Sequence, residues 1–101
     1  MDMNKMMKQV QKMQAELAKA QEELAQAVVE GSSGGGAVKV EFTGPEVSKV
    51  SIDPEAVDPE DPSMLEDLLR AAFNDGLRAQ QALANERLGP LAGGMSLPGM
   101  R

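Results

Sequence analysis

Four lysines, Lys5, Lys8, Lys12 and Lys19, open the chain at helical spacings of three, four and seven residues. At about 100° per residue, all four fall within an arc of about 60° on one edge of a helix. A row of ammonium groups suits one kind of chemistry well. It can neutralise a line of phosphates, a contact that needs positioned cations and no particular base sequence. The same row can be the solvated face of a coiled coil, with Glu16, Glu22 and Glu23 pairing to neighbouring lysines. On spacing alone the solvated face is the stronger reading. Covalent chemistry is not expected, because an exposed helical lysine keeps its charge and is a poor nucleophile.

The surrounding charge sharpens the question. The 101 residues carry a formal charge of −6. Residues 1–20 hold four lysines against Asp2 and Glu16, a local +2, whereas residues 21–101 hold six Lys and Arg against fourteen acids, a local −8. Seven of those acids lie between Asp53 and Asp67 with no base among them. Such asymmetry suits a polyanion-binding face on an otherwise repelling body.

Other chemistries find little support. There is no Cys and no His, which removes disulfides, thiolate zinc sites, Cys nucleophiles and His-based triads. "GSSGGG" at 31–36 lacks the Gly-Lys-Ser/Thr of a phosphate loop and reads as a flexible connection. The acidic run 53–67 has no regular alternating-ligand loop, is broken by prolines, and reads as a solvated loop with a helix cap rather than a calcium site. Carboxylates abound, but no second catalytic group converges with them. No catalytic residue, metal, cofactor or small-molecule substrate is expected.

These residues need elements to hold them. Met3, Met6, Val10, Met13, Leu17, Ala20, Leu24 and Ala27 follow one another at alternating steps of three and four, an unbroken heptad stripe. Helix formers fill the gaps, so a helix is predicted from about 3 to about 25, with the lysines facing away from the stripe. Val38, Val40 and Phe42 alternate with polar residues, and Ser48, Val50 and Ile52 alternate with Val47, Lys49 and Ser51. With "TGPE" between them, the two runs read as a hairpin. "AVVE" before Gly31 is open between helix end and a further strand. "DPEAVDPEDP" is a loop ending in Asp61 as N-cap and Pro62 as first helical residue. A second helix follows, with Leu65, Leu69, Ala72, Gly76, Ala79 and Leu83 on one face, widened by Phe73, Leu77 and Leu88. The fold class is α+β, helix, two or three strands, helix. Residues 1–88 form the single domain, and the Gly- and Pro-rich 89–101 read as a flexible tail.

With only two aromatics and a short chain, the core is small, which argues for oligomerisation. No apolar run approaches the roughly 20 residues of a spanning helix. The opening residues do not read as a signal peptide, since Lys and Gln separate their apolar residues. The expectation is a soluble, cytoplasmic protein with no membrane partner.

Several stretches, taken together and in order, resemble the YbaB/EbfC family of bacterial nucleoid-associated proteins. They are "MMKQVQKMQAELAKAQEEL", "VEGSSGGGAVKVEFTG", "EVSKVSIDPE", "MLEDLLRAAFNDGLRAQQ" and "GGMSLPGM". The resemblance implies a helix, a three-stranded antiparallel sheet and a second long helix, with "AVVEGS" as the first strand. It implies homodimers of tweezer-like outline that bind duplex DNA in the nucleoid, organise it and influence transcription. It assigns DNA contact to the protruding helices, whose matching basic positions are Lys5, Lys8, Lys12 and Lys19, with Arg78 and Arg87 as weaker candidates. With the resemblance, the lysine row reads as a DNA contact. The competing reading is a coiled-coil holdase or interaction adaptor, which would expose Met3, Met6 and Met7 at a helix tip.

Overall fold

The computed structural model describes residues 2–93. Its elements run α1 (Met3–Gln26), β1 (Val28–Ser33), β2 (Val38–Thr43), β3 (Glu46–Ile52) and α2 (Pro62–Gly93). The strands form one antiparallel sheet in the order β1-β2-β3. The α+β architecture with a three-stranded sheet is therefore as expected, and "AVVE" belongs largely to β1. Val28 and Val29, β-branched, favour the strand where the helix-forming run stops. At the other end of α1, the Asp2 side chain caps the helix by accepting from the Asn4 N–H at 2.9 Å.

The inner face of β2, Val38, Val40 and Phe42, is buried under α2 together with Ala72. Val29, Leu65, Leu68, Leu69 and Phe73 border this core, and Phe73 meets Phe42 edge to face with ring centroids 6.1 Å apart. The approach is closest at β1. A methyl group on Gly31 would collide with the Ala72 carbonyl and the Gly76 amide, and one on Gly76 would collide with the Phe42 ring. Strand backbone and helix backbone thus touch directly. Ser32 N–H donates to the Asp75 carboxylate at 2.9 Å, and the Ser33 hydroxyl donates to the Leu68 carbonyl at 2.6 Å, which fixes α2 along β1.

Seated over β1 and β2, α2 barely reaches β3. Opposite Phe42, Val40 and Val38 stand Val47, Val50 and Ile52, all on the inner face yet 46, 44 and 37% exposed. Simple alternation puts Val47 on the other face, with Lys49. A bulge between Glu41 and Phe42 inserts Ser48 and moves Val47 to the inner side. The Ser48 hydroxyl bonds to the Glu41 side chain at 2.8 Å and to Thr43, also at 2.8 Å.

Two expectations on α2 need correction. Leu77 does not widen a covered face, being 51% exposed. The helix also passes the boundary placed at Leu88 and continues through Gly89 and Pro90 to Gly93. Pro90 forgoes one backbone hydrogen bond, but Leu88 and Leu91 are half-buried where α2 runs beside α1, and that packing offsets the loss. The remainder of the expected tail, 94–101, lies outside the described residues.

The helices make the molecule long. Its extents are 71 × 29 × 16 Å and its radius of gyration is 19.7 Å, against about 13 Å for a compact chain of this length.

Gly31→Ala should be strongly destabilising, by about 3 kcal/mol, because only backbone opposes the new methyl and neither side can turn away. Gly76→Ala should cost less, since the ring of Phe42 can shift and Ala gains about 1 kcal/mol of helix propensity. Urea denaturation of both variants checks the order. A Gly31→Ala protein as stable as the parent would mean α2 is not seated on β1 in this way.

Candidate nucleic-acid interface

Lys5, Lys8, Lys12 and Lys19 all lie on α1, and all are exposed. From Lys5 to Lys19 the row covers about 21 Å of helix. That length matches about six base-pair steps of a duplex, at about 3.4 Å per phosphate of one strand. Among the described residues, none of the four has an acidic partner within 4.0 Å; the ion pairs formed are Arg70–Asp67, Arg78–Asp75 and Arg87–Glu23. The coiled-coil alternative predicts pairing with Glu16, Glu22 and Glu23. Glu23 instead turns to α2, where its carboxylate meets Arg87 at 3.6 Å.

The two arginines are placed differently. Arg87 sits beside the inner end of α1, tied to Glu23 and about half-exposed. Arg78 pairs at 3.8 Å with Asp75, the residue that also accepts from Ser32 N–H. It belongs to the α2–β1 junction and does not join the lysine row.

The chain's path sets the field. Gln80 donates to the Gly44 carbonyl beside Ala25, and Arg87 pairs with Glu23 further out, so α1 and α2 are antiparallel, Gly93 falls near the level of Leu17 and the first three to four turns of α1 run on beyond it. The acidic loop leaves β3 at the opposite end of the sheet. Asp53 N–H donates to the Ala37 carbonyl at 2.7 Å there, while Gly44 at the other end of β2 lies against Ala25 of α1. Positive arm and negative loop therefore occupy opposite ends of the long axis.

The acids of that loop are largely engaged in local structure. Asp53 and Asp58 accept from the N–H of Glu55 and Glu60, at 3.0 and 2.9 Å, and Asp61 accepts from the Ser63 hydroxyl at 2.8 Å. Among the described residues no three acidic side chains converge as a metal site. No helix among them is long and apolar enough to cross a membrane.

A feature that sequence reading divided between two roles is the stripe of α1. Ala20 is buried, but Met3, Met6, Val10, Met13 and Leu17 are not. Met3, Met6, Met7, Val10 and Gln11 line an open cleft of about 280 Å³ at the tip.

The family model described as the YbaB/EbfC DNA-binding family matches residues 1–95. The chain belongs to the YbaB/EbfC DNA-binding family. A "Nucleoid-associated protein" of Desulforamulus reducens is 53% identical over 100 residues, covering 98% of this chain and 95% of the relative. Another of the same description, from Nocardia farcinica, is 50% identical over 101 residues, with 98 and 91% covered. The crystal structure of an uncharacterized protein from Helicobacter pylori superposes with a TM-score of 0.65 at 29% identity, covering 94% of this chain and 97% of that one. The YbaB/EbfC resemblance read from the sequence is thereby shown, and DNA binding is the property its family description names.

Because the four lysines hold no acid, replacing them together by Gln should leave the fold intact. Helix propensity is nearly unchanged, so unfolding free energy should stay within about 1 kcal/mol of the parent. Denaturation of the quadruple variant checks this. A larger loss would give the row a structural role.

Proposed function

We propose that this protein is a non-enzymatic nucleoid-associated protein that binds duplex DNA chiefly through its phosphates, with Lys5, Lys8, Lys12 and Lys19 as the contacting residues. It acts in the nucleoid, organising DNA and influencing transcription. One observation carries this reading: four exposed ammonium groups share a single edge of a protruding helix, and no acid among the described residues neutralises them. A lysine is a point charge on a flexible stem, which suits phosphate; base readout favours planar, bidentate groups such as Arg and Asn. The acidic far end repels DNA and favours approach arm first.

The working unit in this proposal is a homodimer. Six hydrophobic residues are buried among the described residues, a thin core, while Val47, Val50 and Ile52 continue the apolar inner face of the sheet into the open. A second copy seated there completes the burial that α2 leaves unfinished. Sedimentation at micromolar concentration should give twice the protomer mass, and Val50→Glu should shift it toward one. A parent that sediments as a monomer would remove the dimer from the proposal.

The quadruple Lys→Gln variant tests the DNA contact. Affinity should fall alike for unrelated duplexes, and the dependence of log K on log salt should flatten by about 0.9 for each phosphate that the protein no longer neutralises. If the folded variant binds as tightly as the parent, the lysine row is a solvated face. The exposed methionines support the holdase reading, and an aggregation-suppression assay beside the gel shift separates it: suppression without duplex binding would favour it.

A further inference from the structure

The heptad stripe of α1 divides at Ala20. Inward of it, the helix lies against α2. Outward of it, Met6, Val10 and Met13 are 47, 51 and 40% exposed and no described residue covers them. Apolar residues at an unbroken a/d spacing would be an unexplained liability on a helix that merely reached for phosphates.

From this geometry we propose that the outward stripe, Met3 to Leu17, is a self-association seam. Its occupant is the same stripe of a neighbouring copy bound alongside on one duplex, a contact separate from the pairing through β3. The inference rests on the DNA-binding reading. Charge supports a second copy as the occupant. In the heptad that starts at Met3, the positions flanking the stripe are Met7, Gln9, Gln14 and Glu16, so one charge lies along the whole seam. Two such helices can meet in either direction without bringing like charges together. The lysines stand at the outward positions and stay free for phosphate while the seam is filled. Met at the a and d positions gives an adaptable, weakly specifying surface.

Size limits the strength of the contact. Two heptads fall short of the three to four that sustain a coiled coil, so free chains should not hold together by this seam alone. Copies held side by side on DNA face a much higher effective concentration, at which a weak seam closes. The consequence is cooperative binding along a duplex.

The absence of Cys makes the test direct. Val10 is equidistant from Met3 and Leu17, so it sits at the middle of the seam: it faces Val10 of the neighbour when the helices run parallel, and Met6 or Met13, one step along the stripe from Val10, when they run antiparallel. Under mild oxidation with a long duplex, Val10→Cys should form a disulfide-linked pair at least tenfold faster than Ala15→Cys, which sits on the opposite side of α1. Without DNA at low micromolar protein, that preference should disappear. Equal linking of the two variants on DNA would overturn the seam. Linking of Val10→Cys as fast without DNA as with it would overturn the neighbour contact on the duplex.

A gel shift on the same samples separates the two readings. If the protein binds the duplex and linking shows no preference, the seam fails while DNA binding stands. If nothing binds the duplex, the DNA reading fails and this seam falls with it. A second variant, Met6→Gln with Val10→Gln and Met13→Gln, keeps every lysine. It should bind a duplex with room for one dimer as the parent does, and lose the steepness of binding to a long one. Unchanged steepness would again overturn the proposal.

Discussion

The direct contact of backbone with backbone where α2 crosses β1 sets the rest of the architecture. It exists because Gly31 and Gly76 carry no side chains at the crossing and Ala72 carries only a methyl. Close approach there draws the helix over β1 and β2 and lets Asp75 and the Leu68 carbonyl be reached from Ser32 and Ser33. A bulkier pair would hold the helix further off and break those bonds. The same seating leaves β3 short of a cover. The exposed valines of β3 are thus a consequence of the glycine contact, and no described residue covers them.

From that crossing α2 runs outward, and α1 returns along it. Gln80 donates to the Gly44 carbonyl, Gly44 sits against the end of α1, and Glu23 meets Arg87 further out. Among the described residues, these ties hold the inner half of α1. The outer half projects with two faces to offer, a cationic edge and an apolar stripe. In the function proposed above, their separation around the helix lets one arm address phosphate and another surface at once. The exposed Glu23–Arg87 pair adds little stability by itself. It removes an acid from the competition for Lys19, and it occupies Arg87 in doing so.

Charge separation along the molecule follows from the order of elements in the chain. The basic residues come first, on a helix that leads away from the sheet, and the acidic run follows β3 on the far side. The Asp side chains there serve as turn formers and as partner to Ser63. The acids that shape this loop thus also concentrate negative charge at the end of the molecule away from the lysines.

Local patterns were legible in the sequence because they depend on neighbours a few residues apart. The 3-4 stepping of α1 and its lysine row, the alternation of β2, and the Asp61-Pro62 start of α2 are of this kind, and each element stands where its pattern places it. What needed the tertiary structure depends on partners far away in the chain. Val47 changes face because Ser48 is accommodated against Glu41 and Thr43, which strict alternation cannot register. The end of α2 moves past Pro90 because packing beside α1 outweighs a proline and a glycine that signal a stop in isolation. Whether the four lysines were already paired was likewise undecided, since Glu16, Glu22 and Glu23 all lie at helical spacing from them. Only the approach of Arg87 from residues far along the chain turned Glu23 away, and only the length of α1 beyond the described end of α2 left Lys5, Lys8, Lys12 and the methionines together in the open.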